Sequence, residues 1–170
     1  MASAVTMTAA RAQASFQRAF AAAVAGTAGS ADPRADVVWV DGDNELLVHP
    51  AKTRIVLKTG FVLVGIAVYT EQTKDVEVVV PFAVGAPDDP LGLTVATEAI
   101  ARGPAPIVET WSGPLIAAAW DALLRVGADV AATAGVDEDN QPLLPIALVA
   151  DEKGLAVTPQ ARHTFDRLPR

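Results

Sequence analysis

The chain has 170 residues, of which 34 are Ala and 22 Val, with a net charge of −7, no cysteine and a mean hydropathy of +0.32. That length suits one domain with or without an arm, and the apolar content excludes a disordered chain. The missing cysteine excludes a disulfide scaffold or a thiolate metal site, and the acidic balance argues against a free nucleic-acid binder.

The charge is unevenly spread. Residues 1–35 carry Arg11, Arg18 and Arg34 against Asp32. Residues 153–170 carry Lys153, Arg162, Arg167 and Arg170 against Asp166. Between them lie 6 basic and 18 acidic residues, so both ends are basic and the body is acidic. Such a distribution either serves solubility or lets a basic end of one copy dock on the acidic body of another. No apolar run is long enough for a transmembrane helix. Arg11 and Arg18 lie too far into the chain for the short basic region of a signal peptide, so a cytoplasmic origin is expected.

In chain order, residues 5–26 read as an Ala-rich helix, because Phe16, Phe20 and Val24 recur every fourth residue on one stripe. Gln13 and Gln17 fall largely elsewhere. Gly26 to Ser30 ends the helix and reads as a flexible joint, which sets a division into an arm, 1–30, and an α+β domain, 31–170. Strands follow at Val37–Val40, Glu45–His49, Arg54–Lys58, Phe61–Tyr69 and Val76–Val84, joined by short turns that favour an antiparallel meander. The near-unbroken apolar run of Phe61–Tyr69 predicts a strand covered on both faces. Thr94 reads as the cap of a short helix running through Arg102. Ser112 reads as the cap of the main helix, Pro114 to Thr133, with Pro114 in its first turn. Strands at Leu143–Val149 and Leu155–Val157 flank an Asp151–Gly154 hairpin, and Thr158-Pro159 reads as the start of a short last helix. The fold class is therefore α+β: an antiparallel sheet of five to seven strands with one long helix across it and an N-terminal Ala-rich helix.

Chemical motifs are sparse. Asp41-Gly42-Asp43-Asn44-Glu45 is rich in oxygen ligands but lacks the spacing of a calcium loop and reads as a polar turn, as does Asp137-Glu138-Asp139. His49 and His163 have no metal-ligand spacing. Ser112 lacks a nucleophile elbow, and Lys58-Thr59-Gly60 follows no glycine-rich loop. No catalytic, cofactor-binding or metal-binding residue is therefore assigned. If the chain instead walled an apolar ligand pocket between Phe61–Tyr69 and Leu115–Val130, His49, Tyr69, Glu109 and Ser112 would be its polar groups. The residues expected to carry function are interface anchors: Phe16, Phe20 and Val24 on the leading helix, Trp111 in a loop, and Arg162 and Arg167 in the basic end.

The order of elements resembles that of small ring-forming tail proteins of phages and phage-like particles, the tail-terminator-like subunits. The matching stretches are Ala9–Ala25, Val37–Val84, Leu115–Thr133 and Leu143–Val157. The resemblance implies a ring around a tube, held by strand and helix contacts. With the lack of catalytic constellations and of a long apolar run, the expectation is a non-enzymatic structural subunit, away from membranes, whose partners are copies of itself and other subunits of a virion-like particle.

Overall fold

The computed structural model describes residues 3–90 and 99–162. Among these residues, eight strands and two long helices follow in the order β1 (Val5–Thr8), α1 (Ala9–Ala25), β2 (Val37–Asp41), β3 (Asn44–Val48), a 3-10 turn (Pro50–Lys52), β4 (Arg54–Lys58), β5 (Phe61–Thr70), β6 (Lys74–Ala83), α2 (Ala105–Ala132), β7 (Leu144–Asp151) and β8 (Gly154–Gln160). The class is α+β with antiparallel pairing in every ladder. The strands form two sheets rather than one. β1-β8-β7 make a three-stranded sheet, and β2 to β6 make a five-stranded one.

In the larger sheet, β6 pairs along the whole of β5, and β3 and β4 share the opposite edge. β4 takes Phe61–Gly65 and β3 takes only Val68 and Tyr69. They behave as one strand interrupted by the Pro50–Lys52 turn. Pro50 cannot donate to the ladder, which is why the break falls there. Thr53 repairs the gap: its hydroxyl donates to the His49 carbonyl and accepts the Ala67 N–H. The two sheets meet where Gly85 pairs parallel to Val149 and Gly60 donates to the Ala150 carbonyl.

Val62, Val64, Ile66 and Val68 of β5 are fully buried, whereas Leu63 and Ala67 are half-buried and Phe61 is exposed. The strand is thus covered completely on one face only. Facing that side are both helices. Phe16, Phe20, Leu115, Leu123 and Val126 each retain 0% exposure within the single chain. Small residues let the helices approach closely: Ala12, Ala19 and Ala22 on α1 and Ala118, Ala119 and Ala122 on α2 are buried.

Four sequence expectations are corrected here. The leading segment is a strand before it is a helix: Val5–Thr8 pairs with Gly154–Val157, and Thr8 caps α1 by accepting the Arg11 N–H. The split into arm and domain at residue 30 does not survive, because α1 packs on α2, β4 and β8 as part of the core. Nor is Gly26–Ser30 a loose joint. Gly26 is a left-handed cap (φ 70°), and Arg125 donates to the carbonyls of Thr27 and Gly29. Finally, the main helix begins nine residues before Pro114. Ile107, Trp111, Leu115 and Ala119 form one buried stripe through the Ser112-Gly113-Pro114 break, so burial outweighs the hydrogen bond that Pro114 forfeits.

At the far end, Thr158 and Pro159 continue β8 rather than starting a helix, with Pro159 opposite Pro145 beside a bulge. Of the short helix expected through Arg102, residues 99–102 are not helical, and Arg102 pairs with Val79; residues 94–98 lie outside the described residues. No helix among the described residues is long and apolar enough to cross a membrane.

Candidate functional site

The residues expected to anchor an interface fall into three groups. Phe16, Phe20 and Val24 are taken by the chain's own core, the two rings stacked 5.7 Å apart. They are corrected to core residues, because a side chain already stripped of water by its own domain offers a second copy nothing to bury. Trp111 lies in α2, not in a loop. It is 6% exposed and packs against Trp39 at 6.1 Å, while the Trp39 indole donates to the Val24 carbonyl. Arg162 is exposed just beyond β8, and Arg167 and His163 lie outside the described residues.

The open strand edge with the most exposed large apolar side chains belongs to β2. It pairs with β3 on one side, and no described residue pairs with its other side. The Asp41–Asn44 pair closes a two-residue turn. Closing pairs of such hairpins exchange both hydrogen bonds, so Asp41, Trp39 and Val37 bond to β3, and Val38 and Val40 present their N–H and C=O groups outward. Their side chains are also exposed, at 55% and 63%. Apolar β-branched residues on an unprotected edge are what a solvent-facing strand ordinarily avoids. β2 contains no Lys and no Pro.

Beside this edge lies a cleft of about 500 Å³. Its cause is topological. β3 and β5 pair only at Leu47–Tyr69 and Val48–Val68, after which the β2–β3 and β5–β6 hairpins diverge. Asp43, Asn44, Glu45 and Leu47 line one side, and Tyr69 to Gln72 the other; Val38, Pro106 and Trp111 complete the lining. Three carboxylates thus ring a wall with two aromatic residues. Glu71 accepts from the Tyr69 hydroxyl and from Lys74, and those hydrogen bonds hold its carboxyl below the usual range, the Lys74 bond foremost. Asp43 and Glu45 are exposed and form no ion pair with any described residue.

Of the four polar groups expected in an apolar ligand pocket, only Tyr69 lines this cleft. The space between β5 and α2 is packed core, with Val64, Ile66, Leu115 and Val126 at 0% exposure. His49 has a different setting. Its ring is held between Asp36, 3.0 Å from Nδ1, and Asp75, 3.5 Å from Nε2, and it is 8% exposed. The sequence places His49 at a strand end but has no signal for two carboxylates arriving from the loop before β2 and from β6. No group of three or more His, Asp or Glu side chains among the described residues is placed to hold a metal ion.

Comparison of the chain with known protein families, curated proteins and solved structures finds no match.

Proposed function

We propose that this chain is a non-enzymatic structural subunit that assembles with copies of itself and with other subunits of a larger particle, of the phage-tail or virion kind. The observation that carries the reading is the open β2 edge with Val38 and Val40 exposed on it. Strand addition there satisfies the outward backbone groups and removes two valines from water in one step.

A second open edge supports repetition rather than simple pairing. β1 is the outer strand of the three-stranded sheet, and its sequence, Val-Thr-Met-Thr, differs from that of β2. Two unlike edges on one subunit suit head-to-tail contact, which closes into a ring when the rotation allows. The element order read from the sequence, which resembles that of tail-terminator-like proteins, supports the same reading, and a localisation in an assembled particle follows from it.

The test is the mass of the full chain in solution, by light scattering and sedimentation. The reading expects a discrete symmetric oligomer that dissociates when Val38→Lys and Val40→Lys charge the edge, with the unfolding midpoint little changed. A monomer at all accessible concentrations, above all one that binds a small molecule, overturns it.

A further inference from the structure

We infer that the acidic cleft between the two diverging hairpins receives the basic stretch 162–170 of a second copy. The inference rests on the assembly reading above and names the contact that would hold neighbours together. Three observations lead to it.

The first is charge. Asp43, Glu45 and Glu71 line the cleft, and the first two have no described cation beside them. Stretch 162–170 supplies Arg162, Arg167 and Arg170 against the single carboxylate of Asp166. Arginine suits such a place, since its planar fork can take a carboxylate in two hydrogen bonds and stack on an aromatic ring.

The second is shape and backbone chemistry. Past Leu47, the β5-facing side of β3 has no strand partner, so the Glu45 N–H and C=O face the cleft unpaired while Asn44 and Leu46 bond to β2. An extended segment can lie along that side by main-chain pairing, the mode in which pairing gives affinity and alternate side chains give specificity.

The third is the apolar content of both parties. Pro106, Trp111, Val38 and Leu47 give the cleft an apolar lining among its carboxylates. Phe165 would meet the exposed apolar lining at Val38 and Pro106 while Arg162 or Arg167 reaches Glu45 or Asp43. A small-molecule cation would use the carboxylates but leave the strand edge and the apolar wall unmatched.

The experiment uses the full chain and three variants in sedimentation equilibrium. Arg162→Glu with Arg167→Glu reverses the stretch. Asp43→Arg with Glu45→Arg reverses the cleft, at exposed positions that leave the fold intact. The third variant carries all four changes. Each single-site reversal is expected to weaken association at least about tenfold, and the fourfold variant to recover it. Mixing the two single-site variants should restore association between them, because a reversed stretch then meets a reversed cleft on another molecule. Association that ignores every reversal overturns the inference and leaves the assembly reading standing. A mixture that fails to recover also overturns it, since the stretch would then be acting within its own chain. A wild-type chain that stays monomeric overturns both.

Discussion

The side-chain amide of Gln13 does the work of a neighbouring strand for Ile55: its Oε1 accepts the Ile55 N–H at 2.7 Å while its Nε2 donates to the Thr53 carbonyl at 3.1 Å. Gln17, one turn further along α1, donates to the carbonyls of Ala51 and Thr53. Two glutamines that lie off the apolar stripe of α1 thereby cover the outer edge of β4 and tie down the Pro50–Lys52 break. β2 is left as an open edge of the larger sheet, on the other side of that break.

Removing the Gln13 amide leaves the partly buried Ile55 N–H without a partner, while the Thr53 carbonyl keeps its bond from Gln17. Gln13→Ala should therefore cost about 1–3 kcal/mol. Urea unfolding measures the loss. Hydrogen exchange at the Ile55 amide should accelerate well beyond what the global change explains, and an unchanged Ile55 amide would show that solvent or another group replaces the glutamine.

Gly154 makes a sharper demand. A Cβ there would fall inside van der Waals contact of the Met7 carbonyl oxygen, where β1 passes β8. Because backbone rather than a side-chain tip stands in the way, β1 must shift to admit a methyl group. Gly154→Ala should destabilise by roughly 1–3 kcal/mol and loosen the Thr8–Gly154 end of the ladder first. Pro114→Ala should act in the opposite direction. It restores the N–H that α2 lacks mid-helix, and Pro114 is exposed, so no core contact is lost. A gain of about 1–3 kcal/mol is expected from helix propensity, and a loss would mean that α2 depends on the proline's shape.

Those two sites also show what the sequence disclosed and what it withheld. The hairpins from β2 to β6 were legible because Gly42, Gly60 and the Thr70–Lys74 turn sit between alternating apolar runs. Ser112-Gly113-Pro114 carried an equally strong local signal for a helix start and was overridden by the tertiary burial of Ile107 and Trp111. β1 was hidden because four residues beside an Ala run favour extension of the helix, and only Gly154–Val157 across the fold make them a strand. Phe16 and Phe20 stood out as anchors from their spacing, but spacing does not say what an anchor is anchored to. The cleft had no sequence signature at all, since it arises where two hairpins stop pairing.

Acid should weaken the outer face of the larger sheet through Glu77. Arg54 holds its carboxylate in two hydrogen bonds of 2.8 Å across Gly65. Those bonds, with Arg54's charge, keep the carboxyl below its ordinary value of 4.5 against an opposing effect of burial. A carboxyl lowered in the folded state stabilises above its unfolded value and loses that contribution as pH falls through the folded one. The advantage of wild type over Glu77→Gln should be about 0.2–1 kcal/mol near neutral pH and vanish as the solution is taken from pH 5 to below the folded value. Urea midpoints at several pH values check it, and an advantage that persists in strong acid would place its source elsewhere.

The strongest stability prediction concerns α1. Phe16 and Phe20 are stacked and fully buried, and the helix that carries them also supplies the glutamines that close β4. A detachable arm would leave a folded body behind when residues 1–30 are deleted. A core helix leaves the inner face of β4 and β5 and one side of α2 exposed to water, with the Ile55 and Thr53 backbone groups unpaired. Phe16→Ala alone should cost about 3–5 kcal/mol, a large part of the stability of a domain of this size. Deletion of residues 1–30 should abolish cooperative thermal unfolding. A truncated chain that melts cooperatively near the wild-type temperature would return α1 to the role of an arm, and Phe16, Phe20 and Val24 to candidates for contact with another subunit.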